Sequence, residues 1–235
     1  MSKLNLLKSD VLILCGGLGT RFRAIRKDIP KSLAQIKGTP FIDIIINDLV
    51  LKGFRRIILA TGHLSSQIEL HIQTRKDAEY IFSREPKPLG TGGAIKFAER
   101  YFHSENILIL NGDSYINFNF PSILRFHKKK KADMSILLSS VTSGNDYGHV
   151  ILNKDNKITS FVEKGKLKRN SNVNAGVYLI NRSLLENLKC KIQYSLEKEC
   201  IPTWINSHRI FGIITDMEVR DIGTPKRFKQ LQKSF

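Results

Sequence analysis

Four short apolar runs, Val11–Leu14, Ile57–Ala60, Tyr80–Phe82 and Ile107–Leu110, constrain the fold of this chain more than any other feature. A continuous apolar run of this length, bounded by polar or glycine-rich sequence, reads as a strand buried on both faces. Between the runs the apolar spacing becomes helical. Phe41, Ile44, Ile45 and Leu49 predict a helix that follows Pro40 and stops at Gly53. Ser65 or Ser66 is placed to cap a helix through about Gln73, and a third helix is expected over Gly93–Phe102. This βαβαβ rhythm predicts an α/β fold, Rossmann-like and three-layered: a mixed, mostly parallel sheet with helices on both faces. Sheets of this kind take ligands at the carboxyl ends of their strands. The loops at Gly16–Arg21 and Asn111–Asp113 both fall there. Beyond Ala132 the spacing tightens into strands at Ser135–Val141, His149–Leu152, Ile158–Val162 and Val173–Ile180, a second region appended to or inserted in the first.

With 235 residues, 41% of them hydrophobic, the chain can bury a substantial core. No stretch approaches the ~20 apolar residues that cross a bilayer. Lys3 and Lys8 before Leu12–Cys15 imitate a secretory or lipoprotein signal, but the apolar core is short and Leu14 is large for a cleavage site. The three cysteines, Cys15, Cys190 and Cys200, have no paired spacing for zinc and are odd in number for a disulfide framework. Reduced thiols in a cytoplasm are expected. The net charge of +17 is spread along the chain, and its one block, Lys128–Lys131, follows a helical stretch. There it complements the helix dipole and sits in water. The expectation is therefore no nucleic-acid partner and no membrane partner.

The segment Gly16-Gly17-Leu18-Gly19-Thr20-Arg21 follows the first strand, so its glycines let backbone N–H groups approach an anion, most naturally a nucleotide phosphate. It is not a Walker loop, which ends in Gly-Lys-Ser/Thr. Nor is it a dinucleotide fingerprint, since Phe22 stands where the third glycine belongs.

GGLGTRFR followed by PKSL resembles the signature of the sugar-nucleotide pyrophosphorylases, the sugar-1-phosphate nucleotidyltransferases. PLGTGGAI (Pro88–Ile95), NGD (Asn111–Asp113), EK (Glu163, Lys164), NAGVY (Asn174–Tyr178), SLEKE (Ser195–Glu199) and DIGTP (Asp221–Pro225) then occur in the family's order. KDIPKSLAQIKGTPF together with PLGTGGAI is most similar to the D-glycero-D-manno-heptose 1-phosphate guanylyltransferases. Mannose-1-phosphate guanylyltransferases and short uridylyltransferases are near neighbours, and Pro86 and Lys87 stand where the heptose enzymes usually carry an acid. The resemblance implies one nucleotidyltransferase domain over 1–235, with a nucleotide-binding part to about residue 132 and a sugar-binding part from 133. It also implies an Mg²⁺-dependent enzyme of polysaccharide or cell-envelope precursor synthesis. A homo-oligomer is compatible with it. A non-catalytic sugar-nucleotide sensor on the same fold is the alternative of another class; retention of Arg21, Lys31, Asp113 and Asp221 together speaks against it.

In the implied reaction an oxygen of the sugar phosphate attacks the α-phosphorus of a nucleoside triphosphate. Catalysis is then mainly positioning and charge neutralisation, with no protein nucleophile. The family loop assigns Arg21 to the leaving pyrophosphate and Lys31 to the α-phosphate. Leu14, Cys15, Gly16, Gly17, Gly19 and Thr20 are assigned to the nucleotide, as are Pro88, Gly90, Thr91, Asn111 and Gly112. The metal is assigned to Asp113 and Asp221. The sugar phosphate is assigned to Tyr147, Gly148, Glu163, Lys164, Asn174 and Gly176. Glu85, just before PLGTGG, corresponds to a segment that in related thymidylyltransferases carries a base-pairing glutamine. A carboxylate there can accept from the adjacent N1–H and N2 amino group of guanine, which implies GTP.

Overall fold

The computed structural model describes residues 9–17, 28–140, 148–163, 172–186 and 188–234. The first strand, β1 (Val11–Leu14), lies between β4 (Arg56–Thr61) and β6 (Asn106–Asn111), parallel to both, and β5 (Glu79–Arg84) extends the parallel set beyond β4; the two-residue strands β2 (Gln35–Ile36) and β3 (Thr39–Pro40) form a separate antiparallel pair. Because β1 is covered on both sides, Val11 and Ile13 pack into one core and Leu12 into the other. This is why the run has no polar alternation.

One face is covered by α1 (Phe41–Leu51), α2 (Ser65–Ile72) and α4 (Phe120–Lys129), and the other by α3 (Gly90–Ala98) and α5 (Ile201–Ser207). The three-layer arrangement is therefore as expected. Gly53, just past α1, takes φ +97°, the left-handed closure that ends a helix without a Cβ penalty. Asn119 caps α4 by accepting from Ser122 N at 2.9 Å.

The expected serine cap of α2 is not made. Leu64 occupies the cap position in a left-handed conformation, φ 57°, and no side chain caps the helix. Helix α3 begins three residues earlier than Gly93, so most of the glycine run is its first turn; a 3₁₀ turn over Glu99–Tyr101 replaces its expected end.

The second region continues the same sheet. Strand β11 (Asn172–Asn181) pairs antiparallel with β6, and β8 (Met134–Ser139) pairs with β11 and with β12 (Ile210–Thr215). The hairpin of β9 (Gly148–Leu152) and β10 (Ile158–Glu163) joins at the start of β11. Beside the sheet, the two-residue strands β7 (Ser114–Tyr115) and β13 (Arg220–Asp221) pair with each other, and helix α6 (Pro225–Ser234) follows.

Candidate active site

Strands β1, β4, β5 and β6 end on one side of the sheet, and the chain leaving each is held there by backbone bonds. Cys15 N donates to Ala60 O at 3.0 Å, Gly112 N to Leu14 O at 2.9 Å, and Glu85 N to Thr61 O at 2.8 Å. These ends frame a cleft of about 350 Å³. Its walls include Leu14, Gly16 and Gly17 from β1 and its loop, and Glu85, Pro88, Gly90 and Thr91 from the β5–α3 connection. Asn111 and Asp113 close it from the end of β6. A Cβ on Gly16 would lie 2.9 Å from Gly62 N and 3.0 Å from Glu85 Oε1, so this glycine is required by close approach.

Cys15 and Gly112 stand behind the wall. The Cys15 thiol is buried and donates to Ala60 O at 3.1 Å, and burial followed by the charge of Glu85 pushes its pKa up, which suits a structural residue. Gly19, Thr20 and Arg21 lie outside the described residues.

Glu85 is half-buried, and burial raises its carboxyl pKa although Leu89 N donates to Oε2 at 2.9 Å. Lys31 opens a 3₁₀ turn after Pro30, and its Nζ lies 2.5 Å from Asp113 Oδ2. Asp113 keeps 45% of its side chain exposed against 14% for Lys31, so the acid faces the open side of this pair. The β7–β13 ladder brings Asp221 alongside: it pairs with Ser114, and Ile222 N donates to Asp113 O at 3.0 Å. Asp221 is 7% exposed, and its Oδ1 accepts from Gly223 N at 2.7 Å and Arg227 Nη1 at 3.3 Å. It therefore also closes the turn into α6. Among the described residues no three His, Cys, Asp or Glu side chains gather as a metal cage. Two neighbouring carboxylates with hard oxygen donors fit Mg²⁺, which retains waters and takes further ligands from phosphate.

The sugar-side assignments are joined to the cleft by a buried network. Thr91 Oγ1 donates to Glu197 Oε2 at 2.6 Å and accepts from Leu196 N at 2.8 Å. The fully buried Tyr178 donates its hydroxyl to Glu197 Oε1 at 3.2 Å and accepts from Asn174 Nδ2 at 2.8 Å. Burial, with the Glu197 charge next, raises the Tyr178 phenol well above its ordinary value. Asn174 Oδ1 in turn accepts from Gly176 N at 3.1 Å, where β11 shifts register. Asn111 Oδ1 is buried at the cleft wall with no hydrogen-bond partner among the described residues, an acceptor left for a ligand donor. Gly148 begins β9 opposite Glu163 of β10. Tyr147 and Lys164 lie outside the described residues, as does the Glu163 side chain.

Two residues of the site were given no role from the sequence. Glu197 is a buried carboxylate inside SLEKE, in a π-helical turn capped by Ser195. Gln193 lines the cleft from the irregular segment before that turn. The glycines of PLGTGG are what admit this segment: Gly92 N and Gly93 N donate to Tyr194 O at 3.1 and 3.3 Å. Gly90 takes φ +70°, and a Cβ there would stand 2.5 Å from Tyr194 O.

A three-layer α/β sheet with a glycine loop, a lysine and two acids at its strand ends defines a nucleotide-dependent transferase. The chain belongs to the nucleotidyl transferase family, whose model matches residues 10–234. It is 34% identical over 227 residues to the D-glycero-alpha-D-manno-heptose 1-phosphate guanylyltransferase of Aneurinibacillus thermoaerophilus, covering 96% of this chain and 98% of that protein. It is 32% identical to the mannose-1-phosphate guanylyltransferase catalytic subunit beta of Drosophila melanogaster, over 92% of this chain and 60% of that longer protein. The crystal structure of HddC from Yersinia pseudotuberculosis complexed with GMP-PN superposes with a TM-score of 0.85 at 29% identity, covering 97% of this chain and 99% of that one.

Proposed function

We propose that this chain transfers GMP from GTP to a sugar 1-phosphate, D-glycero-D-manno-heptose 1-phosphate in the first instance, and releases pyrophosphate. The observation that carries the reading is a single cleft in which Glu85, the Gly16–Gly17 backbone, Asn111 and Asp113 meet, with Lys31 ion-paired to Asp113 at its rim. Similarity to a heptose 1-phosphate guanylyltransferase along nearly the whole chain supports the choice of sugar, and similarity to HddC complexed with GMP-PN supports a guanine nucleotide.

In this reading a phosphate oxygen of the sugar 1-phosphate forms a bond to the α-phosphorus of GTP as the bond to the β-phosphate bridging oxygen breaks. Glu85 accepts from guanine N1–H and N2–H, and the glycine loop approaches the phosphates with backbone N–H groups. Lys31 exchanges its contact with Asp113 for the α-phosphate and neutralises charge as the attacking anion arrives. Arg21 holds the leaving pyrophosphate. Asp113 and Asp221 would hold Mg²⁺, which when bound offsets the charge of two phosphate groups at close range. Asn174, Gly148 and Glu163 orient the sugar. Cytoplasmic synthesis of an envelope-polysaccharide precursor belongs to the same proposal. The test is a panel of nucleoside triphosphates crossed with sugar 1-phosphates, read as pyrophosphate release with and without Mg²⁺. Preference for a pyrimidine nucleotide would refute the guanylyl assignment, and full turnover in EDTA would refute the metal.

A further inference from the structure

The charge of +17 is not explained by anionic substrates alone, because six of its lysines lie away from the cleft. Leu179 and Ile180 of β11 pair with Leu108 and Ile107 of β6 and with Ser135 and Met134 of β8, so the starts of β8 and β12 are level with the start of β6. The cleft lies at its end, about 17 Å away by strand rise. At physiological ionic strength the screening length is roughly 8 Å, so charge at this remove does little for a bound triphosphate.

Three segments distant in sequence converge there. Lys130, just after α4, donates to Asp155 O at 2.9 Å in the β9–β10 turn, and Gly212 N of β12 donates to Asn156 O at 2.9 Å. The fold thereby brings the turn that carries Lys154 and Lys157 against the end of α4, where Lys128–Lys131 stand. Within these segments the acids are Asp133, which pairs with Arg209 at 3.0 Å, and Asp155. Lys128, Lys129, Lys131 and Lys154 are exposed.

We propose that this lysine face is a docking surface for an anionic phospholipid bilayer. Lysine is a flexible point charge suited to a diffuse field, whereas specific protein interfaces favour arginine and aromatic anchors and are depleted of lysine. Among the described residues the large exposed apolar side chains are Leu51, Leu70, Val162, Ile192, Ile214 and Met217; of these only Ile214 belongs to a converging segment, and it lies at the other end of β12. The nearby rings of Phe126 and Phe211 pack edge to face, with Lys130 Nζ 5.4 Å from the centroid of Phe211 and Phe211 only 9% exposed. They offer no stacking platform for single-stranded nucleic acid. A cluster of four to eight cations attracts an anionic leaflet at about 1 kcal/mol each, roughly fivefold in binding per lysine, reversibly and without insertion.

The test is co-sedimentation of the whole chain with phosphatidylglycerol–phosphatidylcholine vesicles and with pure phosphatidylcholine, in low and high salt. The triple variant K128E/K131E/K154E is compared with K226E/K229E/K233E, which reverses as many exposed charges on α6. The expected result is salt-sensitive binding to anionic vesicles only, reduced about 100-fold or more in the first variant and by far less in the second. Turnover of soluble substrates by the first variant stays at the wild-type rate. Absence of binding to anionic vesicles, equal loss in both variants, or tighter binding of duplex DNA or RNA than of vesicles in the same salt overturns the proposal.

Discussion

Removing the Glu197 carboxylate should cost more stability than removing any exposed acid of this chain. It accepts from Thr91 Oγ1 at 2.6 Å, Ser195 Oγ at 3.1 Å and the Tyr178 hydroxyl at 3.2 Å, and it is 9% exposed. In Glu197→Ala the fully buried Tyr178 hydroxyl loses its acceptor where water has little access, at ~1–3 kcal/mol for a buried donor left unmet. Thr91 and Ser195, both half-buried, lose less. The expected loss is about 2–4 kcal/mol, a large fraction of the ~5–15 kcal/mol that holds a domain together. Glu197→Gln preserves shape and one acceptor oxygen, and a hydroxyl can turn to accept from the amide, so about 1–2 kcal/mol is expected. Urea unfolding measures both as midpoint shifts at constant slope. A double-mutant cycle with Thr91→Val should give a coupling of about 1 kcal/mol or more, because the two side chains share the bond directly. Nucleotide KM should rise with the loss of order at Thr91, which lines the cleft. A loss below ~1 kcal/mol in Glu197→Ala, or strict additivity with Thr91→Val, refutes the network as a structural unit.

Asp113→Ala and Asp221→Ala are each expected to lower turnover by ~100-fold or more, roughly 2.7 kcal/mol in the barrier, while circular dichroism stays native; near-normal rates in either variant refute its metal assignment. Glu85→Gln should narrow the preference for GTP over UTP by about ten- to a hundredfold in kcat/KM. Because burial raises the Glu85 carboxyl pKa, the acceptor form in the wild type is lost as pH falls at a higher pH than for an ordinary glutamate; that limb of the GTP-specific pH profile should vanish in Glu85→Gln. His127, held neutral by burial with its pKa lowered from 6.5 to about 4, bonds Ser135 Oγ and Asn106 Oδ1. The unfolded chain binds the proton first, so its contribution is present above pH 6.5 and is lost as pH falls towards about 4. Urea midpoints should decline over that window and the decline should flatten in His127→Gln; an unchanged slope would assign the acid sensitivity elsewhere.

The amino-acid sequence determined the layers and the chemistry of the loops. Burial on both faces writes itself into Val11–Leu14 and Ile107–Leu110 as unbroken apolar runs, and glycine is required wherever backbone meets backbone, as at Gly16 against Gly62. Leu14, Gly16, Gly17, Glu85, Thr91 and Asn111, all named from the sequence, line one cleft. Local pattern also misled where residues compete for one role, as when Leu64 in a left-handed conformation took the cap position expected of Ser65 or Ser66. Other relations have no local signal, because they depend on which distant segment packs opposite. Strand β13 has two residues and no periodicity, yet its pairing with β7 sets Asp221 beside Asp113. Glu197 looks like any charge in SLEKE until α3 and β11 enclose it between Thr91 and Tyr178. Likewise, Lys154 and Lys157 join the block at Lys128–Lys131 only because the β9–β10 turn docks on α4 and β12. Periodicity records whether a side chain is buried; the identity of its neighbour is decided by long-range packing, which no window of sequence contains.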